Sequence, residues 1–178
     1  MDIEIRSATV RDVKAIHRLL NEYATQRLLL PRSLNELYEG VRDFFVAAEG
    51  ERILGCCALE VAWENLAEVK CLAVASECQG RGVGRQLVER ALADSAALGI
   101  TAVFCLTYQV EFFTRLGFVV IDRERLPHKV WGDCLHCPKF PDCDETAMVF
   151  WANGEQDLGG NGQLGVPPLT PRVAPAAG

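Results

Sequence analysis

Between Leu72 and Leu92 the chain reads LAVASECQGRGVGRQLVERAL, with glycines at three alternate positions, Gly80, Gly82 and Gly84. A strand-like apolar run precedes them and a helix-like run follows. Bare backbone at the mouth of a helix suits an anion. Glycine removes the Cβ that would hold a phosphate away, and the first-turn N–H groups and the positive dipole end then face it. Arg81 and Arg85 add positive charge. The spacing excludes two common phosphate loops. No Lys-Ser or Lys-Thr follows, as a P-loop requires, and G-x-G-x-G is not the G-x-G-x-x-G of a dinucleotide fingerprint. What stands is Gln79-x-x-Gly82-x-Gly84 between strand and helix. It reads either as a diphosphate loop, the diphosphate being that of a nucleotide-like cofactor, or as a tight turn with close helix–sheet packing.

A second group of reactive residue types is Cys134-x-x-Cys137 followed by Cys143, in a polar stretch. In a cytosolic chain such spacing suits zinc more than a disulfide, with His128, Asp133, His136 or Asp144 to complete four ligands. Only one C-x-x-C pair is present, so a structural zinc and free or redox-active thiols are both open readings. Cys56, Cys57, Cys71 and Cys105 lie in apolar runs and read as buried free thiols.

The elements that must position these residues alternate along the chain. IEIRSA is a short strand. TVRD opens a helix with Thr9 as N-cap and Asp12 three residues on; Ile16, Leu19, Leu20 and Tyr23 give it an apolar face. SLNE, from Ser33, caps a short helix running through Leu37 and Val41. FFVAA and ILGCCALEV form a hairpin across EGER, and LAEVKCLAV is the fourth strand. Alternation puts Glu68 and Lys70 on one face of that strand, with Leu72. The helix after the glycines buries Val83, Leu87, Val88, Ala91, Leu92 and Leu98, and Gly99 ends it. TAVFCLT fits a central strand covered on both faces. VEFFTRL is a short helix closed by Gly117, and FVVID and TAMVFW are the last strands. An antiparallel meander followed by strand–helix–strand is an α+β fold on one central sheet of about seven strands.

The whole is 178 residues, 49% hydrophobic and 24% charged, enough for one domain with a sizeable core. Residues 1–154 read as that domain, and 155–178, dominated by Gly and Pro, as a disordered tail. A net charge of −6 argues against nucleic acid or an anionic membrane as the main partner. No apolar run approaches a membrane span and the N-terminus lacks the basic start of a signal peptide, so the expected location is the cytoplasm.

The glycine stretch resembles the acetyl-CoA loop of the GNAT N-acetyltransferase family. LAEVKCLAV resembles that family's fourth strand, which splays from its neighbour to pair with the pantetheine arm, and FFTRLGF its late Phe-Tyr-x-x-x-Gly-Phe motif. The resemblance spans about Ile3 to Phe150. It implies a mixed, mostly antiparallel sheet flanked by helices, acetyl-CoA as co-substrate, and cofactor contacts from Leu72, Ala73, Val74, Gln79, Gly80, Arg81, Gly82, Val83, Gly84, Arg85 and Phe113. Phe113 stands where the family has the tyrosine that reprotonates the CoA thiolate. Thr107 and Tyr108 are the nearby replacements.

LLLPRSLNELYEGVRDFFVAA, GCCALEV and VFCLT resemble the acetyltransferase domain of the N-acetylglutamate synthases, in their short form without a kinase-like partner domain. This implies acetylation of the α-amino group of a small amino acid, glutamate first, at the opening step of arginine synthesis. It makes Glu68 the general base, directly or through one water, and Arg32 and Lys70 the carriers of substrate carboxylate. The plain alternatives are a Glu68–Lys70 ion pair and a solvated Arg32. Backbone N–H groups between Cys71 and Val74 would polarise the thioester carbonyl, and attack is direct, without an acetyl-enzyme. Another amine acceptor, a non-catalytic acetyl-CoA sensor and a homodimer are left open.

Overall fold

The computed structural model describes residues 3–126, 144–152 and 154. The order is β1 Glu4–Ser7, α1 Val13–Thr25, α2 Leu34–Glu39, β2 Phe44–Glu49, β3 Arg52–Trp63, β4 Leu66–Val74, α3 Val83–Ala97, β5 Ala102–Thr107, α4 Val110–Arg115, β6 Val119–Val120 and β7 Thr146–Trp151. They make one seven-stranded sheet in the order β1-β2-β3-β4-β5-β7-β6. All neighbours are antiparallel except β4 and β5, which the α3 crossover makes parallel. The α+β expectation therefore holds, including the meander followed by strand–helix–strand.

The helices fall on opposite faces. Ile16, Leu19 and Leu20 of α1 and Leu37 of α2 pack on Phe44, Val46, Cys56, Ala58 and Ala73. Val83, Leu87, Val88 and Ala91 of α3 and Phe113 of α4 cover the other face, over Cys57, Leu59, Ala67, Val69, Val103 and Cys105. β5 is buried on both faces, as its unbroken apolar run requires. Cys56, Cys57 and Cys105 are buried free thiols; Cys71 is only partly buried.

Several local expectations shift. Ser33 and Glu36 form a complete capping box on α2, but the helix stops at Glu39 and Val41 lies in a separate 3₁₀ turn. Helix α1 starts at Val13 with Asp12, not Thr9, at its N-cap. The Asp12 carboxylate reaches back to the Thr9 N–H and hydroxyl at 2.8 and 2.9 Å, and Arg6 holds it at 2.8 and 3.0 Å. That clamp fixes residues 9–12 as a turn leading into the helix. Leu98 is 58% exposed, because α3 ends at Ala97 and the chain turns away at Gly99. FVVID reduces to the two-residue β6, an exposed edge pairing only at Val119 and Val120.

Candidate active site

β4 and β5 pair over only three rungs, Leu66–Ala102, Ala67–Val103 and Glu68–Phe104. β4 runs on to Val74 and β5 to Thr107, so the two strands separate beyond Glu68. On its other edge β4 stays paired with β3 as far as Gly55–Val74, through a bulge. The register passes from Ala58–Lys70 to Cys56–Ala73, which sets Cys71 and Leu72 against the single residue Cys57. Cys71 takes up the extra residue with φ +54°, a left-handed conformation rare for a side chain with Cβ. A bulge adds one residue to a period of two, so everything after it changes face. Leu72 and Val74 pack with Ala67 and Val69 on the α3 side, while Ala73 and Cys71 pack on the α1 side. Leu72 is thus not on the face of Glu68 and Lys70, as simple alternation suggested.

The fork holds a cleft of about 130 Å³, lined among others by Tyr23, Val69, Cys71, Leu72, Thr107, Tyr108 and Phe113. Phe113 is buried and stacks edge-on between Phe112 and Phe118, with centroids 5.1 Å from each. Thr107 accepts the Gln109 N–H at 2.9 Å, which leaves its hydroxyl proton to give. Tyr108 donates to Asp144 at 2.5 Å. Tyr23, read from the sequence only as part of an apolar helix face, donates its hydroxyl to the Val74 carbonyl at 2.5 Å and accepts Gln79 Nε2 at 2.8 Å. The available signal was its polar tip, since a tyrosine on a buried face generally finds a partner for its hydroxyl.

Beyond Val74 the chain makes a 3₁₀ turn at Ser76–Cys78 and enters α3 through the glycines. Gly80 and Gly82 have φ of +72° and +80°, and a Cβ built on Gly80 would meet nothing within 4 Å. The backbone there is left-handed and open. The first bond of α3 runs from Gln86 N–H to Gly82 O at 3.1 Å, so the N–H groups of Val83, Gly84 and Arg85 precede the helical ladder. No acidic residue occupies that first turn. Gly84 has another role: its Cβ would lie 3.5 Å from Val74 and 3.6 Å from Phe112, where α3 passes close to the end of β4. The left-handed, open backbone lies at Gly80 and Gly82, and the helix–strand contact at Gly84. The Val83 and Ala73 side chains are buried, which leaves only their backbone groups for a ligand. Arg81 is exposed, and Arg85 pairs with Glu89 at 2.7 Å along the helix. Open backbone, unladdered N–H groups and a first turn without acidic residues are features that suit a diphosphate.

A second cavity, of about 70 Å³, lies on the α1–α2 side and shares Cys71 with the first. Arg32, Lys70, Glu36, Asp43 and Glu60 line it. Arg32 is 3.7 Å from Glu36, and Lys70 pairs with Glu60. Burial raises the Asp43 carboxyl above its usual range, helped by Glu60 and opposed by Lys70. Burial also raises the Cys71 thiol, while Arg32 and Lys70 pull it down. The Glu68 carboxylate adds to the burial that raises the Cys71 and Cys105 thiols. Arg32 and Lys70 line this second cavity, Thr107 lines the first, and Glu68 stands at the last rung between β4 and β5. Asp43, Glu60 and Tyr23 are the neighbours the sequence did not single out.

Among the described residues no cluster of His, Cys, Asp or Glu could hold a metal, and no helix is long and apolar enough to cross a membrane. Cys134, Cys137 and Cys143, with His128, Asp133 and His136, and the stretch 155–178, lie outside the described residues.

Comparison with known proteins gives the same picture. Residues 40–120 match the acetyltransferase (GNAT) domain model. The chain is 43% identical over 148 residues to an uncharacterized N-acetyltransferase of Chlorobaculum tepidum, covering 83% of this chain and 96% of that protein. It is 39% identical over 132 residues to an amino-acid acetyltransferase of Mycobacterium tuberculosis, covering 72% and 75%. Among solved structures, Rv2747 of M. tuberculosis in complex with CoA and NLQ superposes with a TM-score of 0.71 at 31% identity, over 83% of this chain and 98% of that one. N-acetylglutamate synthase of Neisseria gonorrhoeae, complexed with coenzyme A and N-acetyl-glutamate, superposes with a TM-score of 0.77 at 25% identity, over 85% and 35%. The forked strands, the left-handed glycine loop and these similarities agree: the chain belongs to the GNAT acetyltransferases.

Proposed function

We propose that this protein transfers the acetyl group of acetyl-CoA to the α-amino group of L-glutamate, the opening step of arginine synthesis. The observation that carries the reading is the fork itself: a carboxylate at the last β4–β5 rung, with a cavity that holds Arg32 and Lys70 on one side and a glycine-capped helix at the far end of the strand. The solved complexes of similar proteins with coenzyme A, one of them with N-acetyl-glutamate, support it. Acetyl-CoA, when bound, supplies an activated acyl group on a good leaving thiolate.

The chain's own residues supply the rest. The N–H groups at the start of α3 hold the diphosphate, and β4 beyond Glu68 has free length for the pantetheine arm. N–H groups between Cys71 and Val74, the stretch that contains the bulge, polarise the carbonyl. Arg32 and Lys70 take the substrate carboxylates. Glu68 removes a proton from the substrate ammonium, directly or through one water, and the amine attacks without an acetyl-enzyme. Thr107, whose hydroxyl oxygen accepts the Gln109 N–H, returns its hydroxyl proton to the sulfur.

A second acceptor is favoured by one observation. Arg32 and Lys70 each already face a carboxylate, and Asp43 stands beside them. A neutral side-chain amide enters such a cavity without the repulsion a second carboxylate meets, which points to glutamine.

Release of free CoA from acetyl-CoA, measured against each of the twenty amino acids, tests the reading. Turnover selective for glutamate establishes it, and selectivity for glutamine establishes the second. Tight acetyl-CoA binding with no amino-acid turnover would overturn both in favour of another amine acceptor or a sensor.

A further inference from the structure

Tyr23 connects three parts of the molecule that lie far apart in sequence. Its hydroxyl gives its single proton to the carbonyl of Val74, 51 residues away, at 2.5 Å, and accepts Gln79 Nε2, 56 residues away, at 2.8 Å. Val74 is the last residue of β4, six positions past the rung where β5 leaves, so no β5 rung pairs with it. Gln79 is the residue from which the chain enters the glycine loop. Tyr23 sits in the last turn of α1, and its own carbonyl accepts the N–H groups of Gln26 and Leu28, both at 3.1 Å. Those bonds shape the exit of α1 just before Arg27, which is left-handed with φ +59°, and before Leu28 and Leu29, which line the fork. One residue thus fixes the end of β4, the entry to the loop and the start of the α1–α2 connection. Both of its hydroxyl's hydrogen-bonding roles are used within the protein.

Resting on the acetyl-CoA reading above, we propose that Tyr23 is a positioning residue for the co-substrate, holding Gln79 and the Val74 carbonyl at a fixed separation so that the glycine loop is preformed before acetyl-CoA arrives. A loop held in its binding geometry loses less conformational freedom on binding, so removal of the tie appears as weaker binding and not as slower chemistry. The Tyr23→Phe variant keeps the ring, its packing and the backbone bonds to Gln26 and Leu28, and loses only the hydroxyl. It leaves Gln79 Nε2 and the Val74 carbonyl without that partner.

The test is a double-mutant cycle with Tyr23→Phe and Gln79→Leu. Binding is read by calorimetry with acetyl-CoA and with adenosine 3′,5′-bisphosphate, turnover by CoA release, and the fold by thermal unfolding without ligand. The expected result is a five- to tenfold weaker binding of acetyl-CoA by Tyr23→Phe, about the worth of one hydrogen bond. The loss falls in KM for acetyl-CoA, with kcat and the acceptor KM held, and the unfolding midpoint falls by only about two to five degrees, the worth of one hydrogen bond in a chain of this size. Gln79→Leu gives a similar loss, and the double variant is no weaker than the weaker single one, because both remove the same tie. Additive losses, or wild-type binding by Tyr23→Phe, would overturn the proposal. So would a fall in kcat at unchanged KM with a displaced high-pH limb, which would make Tyr23 a proton donor. A wild-type protein that does not bind acetyl-CoA would overturn the acetyl-CoA reading, and this proposal with it.

Discussion

Glu68 and Phe104 form the last rung between β4 and β5, and past that pair the parallel ladder of the two strands comes apart. The position matters because a carboxylate there lies at the fork, two residues before Lys70 and three before the bulge at Cys71. Backbone freed by the parting strands, the Glu68 carboxylate and the cavity lined by Arg32 and Lys70 meet within a few residues of β4.

Glu68→Gln keeps the shape of that position and removes the proton acceptor. The kcat for CoA release with glutamate should fall by about 10²- to 10⁴-fold, the usual contribution of a general base. Acetyl-CoA affinity should stay at the wild-type value, and the low-pH limb of the rate profile should disappear. A near-wild-type rate across pH would remove Glu68 from the mechanism.

Arg32→Ala should raise KM for the acceptor by about 10- to 100-fold, the range for a hydrogen bond to a charged group. It should leave KM for acetyl-CoA unchanged, since Arg32 lines the α1–α2 cavity and not the glycine loop. Steady-state kinetics with each substrate varied in turn separates the two constants.

Thr107 and Tyr108 both border the cleft, but their protons differ in availability. The Tyr108 proton is committed to Asp144, whereas the Thr107 hydroxyl accepts from Gln109 and still has its hydrogen to donate. Thr107→Val should therefore lower kcat by at least tenfold, and Tyr108→Phe by less, with the larger share of general acid catalysis carried by Thr107. Pre-steady-state CoA release compares them directly.

Gly82→Ala forces a side chain into a left-handed N-cap at φ +80°, at a cost of about 1–2 kcal/mol. It should lower Tm by several degrees and weaken acetyl-CoA binding. Gly84→Ala, inside α3, meets neighbours at ordinary contact distances of 3.5 and 3.6 Å and has no such strain. Its Tm should match or exceed wild type, as alanine favours a helix over glycine. Calorimetric unfolding of the two variants decides.

The Arg6–Asp12 clamp makes an acid-dependent contribution to stability. The Arg6 hydrogen bonds hold the Asp12 carboxyl down at about 2, against 3.8 for an ordinary aspartate. A depressed carboxyl stabilises the fold fully above the unfolded value and loses that contribution as pH falls through the folded one. The window is thus pH 4 down to 2. Urea unfolding of wild type and Asp12→Asn should differ by about 2 kcal/mol at pH 7, the difference shrinking towards pH 2.

Local patterning determined much of this protein. The capping box at Ser33, the apolar stripe of Ile16, Leu19 and Leu20, the doubly buried run of β5 and the Gln-x-x-Gly-x-Gly turn were legible because each depends on residues within one or two turns of each other. So were Glu68, Lys70 and Arg32 as candidates, by type and by resemblance. Tertiary structure alone decided where β4 parts from β5, on which face Leu72 lies, and that Tyr23 reaches Val74 and Gln79. The bulge at Cys71 exists only in register with β3, and one inserted residue reverses every later side chain. Alternation along a single strand cannot contain that, because the extra residue is defined by the partner strand. The same holds for the cavity joining Arg32 to Lys70, whose ion pairs with Glu36 and Glu60 depend on how α2 and β3 pack over β4.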